Sequence, residues 1–171
     1  MGVFDFFKKK EDRPAPQQVQ PQLTADEVLE QGKAYESQGD MEAAFKAYLQ
    51  AAEMGDALAM HKVAQSYLYK YRGAPFDLRK SAEWYERAAE SGRIGSMVMV
   101  SQCYIAGAGV PESDEIARQW LERALEEAKR TGETRTIEIV TRRLNNMADH
   151  KRDMKALYAA ATEMGGIPPT K

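Results

Sequence analysis

The chain has 171 residues and a single cysteine, Cys103. One cysteine excludes an internal disulfide and a thiolate-only zinc site. Its place among the helix positions that pack inward predicts a buried, inert thiol. No apolar run is long enough to cross a bilayer, and no signal-peptide core is visible, so a cytoplasmic location is expected. The two histidines, His61 and His150, lie far apart. No metalloprotease, nucleophile-elbow or phosphate-loop pattern occurs in a context that would give it chemistry. Gly107-Ala108-Gly109 has the look of half a dinucleotide loop, but no strand precedes it. The expectation is a non-enzyme with no catalytic residues, no metal and no cofactor. Val, Ile and Thr show no strand-like alternation, which predicts an all-α chain. Net charge is −2. Residues 129–155 are locally basic, with eight Lys and Arg against four Asp and Glu, but this is no dense cluster and nucleic acid is not an expected partner.

What the chain has is a repeat. Ser81-Ala82-Glu83-Trp84-Tyr85-Glu86-Arg87-Ala88-Ala89-Glu90-Ser91-Gly92 recurs on either side. Tyr48, Ala51 and Gly55 lie 37 residues before Tyr85, Ala88 and Gly92, and Trp84 and Ala88 map 36 residues forward onto Trp120 and Ala124. Such a period is the mark of stacked helical hairpins. A second set precedes each of these: Gly32 and Tyr35, Ala64 and Tyr67, Ser101 and Tyr104, each a small residue three before a tyrosine. Each unit therefore has a helix A with small-x-x-Tyr and a helix B with Ala/Ser-x-x-aromatic-x-x-x-Ala. These tyrosines and both tryptophans are expected in the core, the tryptophans between helices A and B of their own units.

These patterns resemble the tetratricopeptide superfamily and, more narrowly, its Sel1-like branch. Gly32, Tyr35, Ala44, Tyr48 and Ala51 resemble a plain tetratricopeptide unit. Gly55-Asp56-Ala57-Leu58-Ala59, Gly107-Ala108-Gly109-Val110 and Ala117-Arg118-Gln119-Trp120 are similar to Sel1-like helix entry, loop and helix B. The second unit departs in its loop, where Tyr71-Arg72-Gly73-Ala74-Pro75 has one glycine. The resemblance spans about residues 24–130. It implies an α-solenoid of stacked hairpins that holds a peptide or a partner's helix on the concave face lined by helices A.

Local signals place the helix ends. Thr24-Ala25-Asp26-Glu27 reads as a capping box. Asp40, Asp56, Asp77 and Ser113 read as N-caps of later helices. Residues 133–165 carry two stripes: Ile137, Val140, Leu144 and Met147, then Met154, Leu157, Tyr158, Ala161 and Met164. They predict a degenerate fourth hairpin that caps the stack with a polar outer face. Its Arg142, Arg143, Lys151 and Arg152 fit such a cap, or else a patch for an acidic partner. The domain reading is a tail and linker over 1–22, a repeat domain over 23–165 and a tail over 166–171.

Two sets of contact residues follow. Helix A positions off the core stripe would line the groove: Lys33 and Glu36, then His61, Gln65, Leu68 and Tyr69, then Val98, Gln102 and Ile105. His61 fits equally well as a packed core histidine. At the N-terminus, Phe4, Phe6 and Phe7 followed by Lys8, Lys9 and Lys10 make an aromatic, basic tip. It serves either as a weak membrane-surface tether or as a plain tail. The myristoylation pattern fails, because Phe6 stands where Ser or Thr is needed.

Overall fold

The computed structural model describes residues 23–69 and 72–167. Eight helices follow one another: α1 (Ala25–Gln38), α2 (Met41–Glu53), α3 (Ala57–Leu68), α4 (Leu78–Glu90), α5 (Ile94–Ala106), α6 (Asp114–Thr131), α7 (Thr134–Asn145) and α8 (Met147–Met164). Among the described residues there is no strand, only an isolated bridge between Tyr69 and Ile167.

The helix starts are written in side chains. Thr24 and Glu27 form the reciprocal capping box of α1. Asp40, Asp56, Asp77 and Ser113 each accept a backbone N–H from the first turn of α2, α3, α4 and α6. Each satisfies a donor that has no partner within the helix. α5, α7 and α8 begin without such a bond, at Arg93, Glu133 and Asn146.

Helices α1/α2, α3/α4 and α5/α6 pair as hairpins, and each hairpin stacks on the next through α2–α3, α4–α5 and α6–α7. The small residues permit the close approach. A Cβ on Gly32 would lie 2.6 Å from the Tyr48 ring. Ala51, Ala88 and Ala124 are fully buried at equivalent places. The loops between helices A and B repeat one contact. Gly73 sits against the backbone of Met41 at the start of α2, and Gly109 against that of Leu78 at the start of α4. Both have positive φ, and a Cβ on either would fall about 2 Å from a carbonyl oxygen. The single glycine of the second loop is therefore the one the packing needs.

The core forms two adjoining clusters. One, around Val28, Tyr48 and Val63, joins α1, α2 and α3. The other, around Tyr85, Val100, Cys103, Leu121, Val140 and Tyr158, runs from α3 to α8. Trp84 packs against both. Three expectations about the aromatics are corrected. Trp84 and Trp120 are half-buried rather than enclosed, and Arg87 and Arg123 lie over their outer faces at 4.0 and 5.1 Å. Tyr35 is 39% exposed, since among the described residues no unit lies before α1 to cover it.

The fourth unit also differs from the expected hairpin. α7 stacks on α6 as a helix A should, and its Val140 is buried. α8, however, packs on α5 rather than folding back along α7. It crosses the C-terminal ends of α5 and α3. Tyr158 and Ala161 of its apolar stripe are buried, whereas Leu157 and Met164 stay exposed. The residues just after α8, expected to begin a tail, belong to the fold. The Ile167 N–H donates to the Leu68 carbonyl at 3.0 Å, and Gly166 donates to Ala161 at 2.8 Å.

Candidate functional site

Helices α1, α3, α5 and α7 form one side of the stack, and the structure assigns the residues expected to line it to three kinds of place. At the first, Glu36 is engaged within the fold. Its carboxylate accepts from Lys62 at 2.8 Å, from the Tyr48 hydroxyl at 2.6 Å and from Arg72 at 2.7 Å. Burial works to raise this carboxyl, but the bonds from Lys62 and Tyr48 and the nearby charges outweigh it and hold it below the usual range. The cluster clasps α1 to α2 and α3. Lys33, one turn before it, pairs with Glu30 at 2.6 Å on the surface.

At the second place the residues are covered. Leu68 is 1% exposed and Ile105 is fully buried, so neither lines a groove. Both lie at the ends of A helices that the rest of the fold encloses. Tyr69 is half-buried against the same core, and its backbone pairs with Ile167. His61 is a contact between units. Its Nδ1 lies 2.8 Å from the Ser96 hydroxyl on α5, and its ring meets Tyr85 edge-on at 5.2 Å. Burial, with the charges of Arg93 and Lys62, pushes this imidazole down to about 4, so it is neutral at pH 7. The packed-histidine reading is the one the structure carries.

The third place is open. A cleft of about 610 Å³ separates the first turns of α5 from α7, with the end of α6 as its floor. Val98 lines it beside Arg93, Ile139 and Arg143, with Glu127 and Glu133 at the acidic margin. Gln102, expected to line the groove, is instead buried beside the cleft. With its amide oxygen turned toward α7, it accepts from the Arg143 guanidinium. Gln65 is half-buried on α3. Burial lowers both Arg93 and Arg143, and the neighbouring Arg142 adds to the effect on Arg143. The Arg93 Nε is buried without a hydrogen-bond partner among the described residues. Sequence reasoning missed Arg93 and Ile139, and offered Arg143 only as part of a polar cap or of a patch for an acidic partner. The signal for the first was an uncapped helix start; the others come from α7, which lacks the small-x-x-Tyr set.

No group of three or more His, Cys, Asp or Glu among the described residues could hold a metal ion. Cys103 is buried, and burial pushes its thiol up to about 12, so it is not a nucleophile at neutral pH. No described helix is long and apolar enough to cross a membrane. Phe4, Phe6, Phe7 and Lys8 to Lys10 lie outside the described residues.

Stacked two-helix units with polar, unit-specific side chains on the A side define a helical-repeat solenoid of the interaction-scaffold class. The comparisons with known proteins make this narrower. The Sel1 repeat matches residues 25–56, 57–92 and 94–128, which together are more than half of the chain. The chain belongs to the Sel1 repeat family, a family of protein-binding scaffolds. A 78-residue stretch is 31% identical to the ERAD-associated E3 ubiquitin-protein ligase component HRD3A of Arabidopsis thaliana. That stretch is 46% of this chain and only 12% of HRD3A. Among solved structures, a Sel1 repeat protein from Oxalobacter formigenes is 27% identical, with a TM-score of 0.57 over 60% of this chain and 44% of that one. The protective antigen c5321 of uropathogenic Escherichia coli, which displays an SLR fold, matches 86% of this chain and 34% of its own with a TM-score of 0.59. At 19% identity, that likeness speaks to the fold alone.

Proposed function

We propose that the protein is a non-enzymatic adaptor that receives a peptide or helix of another protein on its A-helix side, with the cleft between α5 and α7 as the entry. The cleft carries this reading. It joins two apolar side chains, Val98 and Ile139, to two partly desolvated guanidiniums, Arg93 and Arg143. Arginine is among the residues that most often dominate binding energy at protein interfaces, and the two aliphatic side chains add apolar area that a partner can cover. Lys33 and Gln65 extend the same side toward the N-terminal unit. HRD3A is by name one component of a larger ligase, which agrees with a role in holding proteins together. The test is affinity capture from native lysate with full-length wild type and with Val98→Ala/Ile139→Ala. The double variant is expected to stay folded and to weaken capture of the wild-type partner by tenfold or more. Equal capture by a folded double variant would remove the cleft from the interface.

The N-terminal tip supports an addition to this reading. Three phenylalanines within four residues, followed by three lysines, suit a reversible tether on an anionic membrane surface. It would place a cytoplasmic adaptor at the membrane periphery. Co-sedimentation with anionic liposomes by the full chain, and not by a chain lacking residues 1–22, is the expected result. Equal sedimentation by both would remove the tether.

A further inference from the structure

We propose that α8 is a resident ligand. It occupies in cis a helix-docking surface at the C-terminal ends of α3 and α5, and that surface takes a partner's amphipathic helix that carries lysines on its contact face as α8 does. The inference rests on the reading of the A-helix side as the binding side and names a partner class for it.

The packing singles α8 out. It leaves α7 through one residue, Asn146, and makes its interface with α5. The contacts lie on one helical face, at positions 151, 154, 155 and 158, spaced i, i+3, i+4 and i+7. Lys151 reaches Glu112 at 2.6 Å and Asp114 at 3.0 Å, and Lys155 reaches Glu112 at 2.6 Å. Met154 and Tyr158 enter the cluster that holds Tyr85 and Cys103. Beyond the helix, Ile167 adds a backbone bond to Leu68. One face of a helix laid over an apolar surface through i, i+3, i+4 and i+7 side chains is the geometry of a helix-in-groove complex.

The fit is also incomplete. The Tyr85 hydroxyl is buried in this cluster without a hydrogen-bond partner among the described residues, and so is Nε2 of His150 on α8 itself. Burying an unpaired polar group is unfavourable. A helix that covered this surface and offered Tyr85 an acceptor would bind it better than α8 does. The receptor is not meant to be bare either. α5 is buried on nearly its whole circumference, from Ile94 through Met97, Val100 and Cys103 to Ile105. An apolar helix of this kind requires an occupant, and exchange of one lysine-bearing amphipathic helix for another keeps it covered.

The test uses a fluorescein-labelled peptide of residues 147–167 and full-length protein, read by anisotropy. Wild type is expected to bind the peptide weakly, because its own α8 fills the site and lowers the competent fraction. Lys151→Glu/Lys155→Glu should release α8 from Glu112 and Asp114 while leaving both carboxylates for the peptide. Amides of 147–164 should then exchange faster, and the peptide should bind at least tenfold tighter. Lys155→Glu alone, a milder change that keeps Lys151 in place, should give a rise of about threefold. A peptide with Tyr158→Ala should lose most of its binding. Equal peptide affinity for wild type and both variants would overturn the proposal, as would unchanged protection of α8 or full binding by the Tyr158→Ala peptide. Such a failure leaves the α5–α7 cleft standing, because Val98→Ala/Ile139→Ala tests other residues. Loss of the cleft with success here would move the binding site to the ends of α3 and α5.

Discussion

His61 gives the sharpest quantitative expectation. It bridges two repeats, with Ser96 on one ring nitrogen and Tyr85 against its face, and Arg93 and Lys62 oppose its protonation. In the unfolded chain this imidazole takes up its proton near pH 6.5, in the fold only near 4. Between those values the unfolded state binds more protons, so stability falls as the pH is lowered from 6.5 toward 4. The gap of about 2.5 pH units, at about 1.4 kcal/mol each, sets a total near 3 kcal/mol. Most of it, about 2–3 kcal/mol, should be gone at pH 4.5. His61→Gln keeps an amide within reach of Ser96 and removes the titration. Urea unfolding of both proteins at pH 7 and 4.5 isolates the effect, since the carboxylate contributions are shared and cancel. The variant should lose about 2–3 kcal/mol less than wild type between the two pH values. The same loss in both proteins would show that His61 is not held neutral between α3 and α5, and the reasoning about that interface would fail.

Three further outcomes can be checked. Gly109→Ala places a Cβ about 2 Å from the Leu78 carbonyl at positive φ, whereas Gly39→Ala, also at positive φ, meets nothing. Urea melts should show a cost of about 1 kcal/mol for Gly39→Ala and at least twice that for Gly109→Ala; equal costs would remove the loop contact from the account. Trp84→Ala should lose about 2–3 kcal/mol, below the value for a fully enclosed tryptophan because the ring is only half-buried, with Arg87 over its outer face. A loss under about 1 kcal/mol would make Trp84 a surface residue. Hydrogen bonds from Lys151 and Lys155 hold the Glu112 carboxyl down to about 2. Its hold on α8 is complete above about pH 4.5 and should fade as the pH falls toward 2, with amides of 147–164 exchanging earlier than those of α3; simultaneous loss would count against it.

The hairpins were legible because local signals and the repeat agreed. Asp40, Asp56, Asp77 and Ser113 each stand one residue before a helix and each accept the bond a cap requires. The tryptophans and Tyr35 were misplaced because a repeat position names a neighbour, not the depth of burial. Tyr35 has the small-x-x-Tyr spacing, but among the described residues no unit lies over it. Leu68 and Ile105 failed as groove residues for a different reason. The repeat treats the A-helix side as bare, and α8, which is no part of the repeat, packs on α5. A trace of α8 was present in the sequence: Ile94-Gly95-Ser96-Met97-Val98-Met99-Val100-Ser101-Gln102-Cys103-Tyr104-Ile105-Ala106 has no charged face at all. A helix of that composition asks for cover on every side. Arg143 was legible only as a cap residue or part of a patch for an acidic partner, because Gln102, which it meets, lies on a different unit and no motif links them.

The central claim is that another protein binds the A-helix side. Site-specific photocrosslinking tests it most directly, with benzoylphenylalanine placed in the full-length chain either at Val98 in the cleft or at Glu122 on the exposed face of α6. In native lysate the account predicts a discrete covalent adduct from position 98 and none from position 122. The same adduct from 122, with none from 98, would contradict it and place the interface on the B helices.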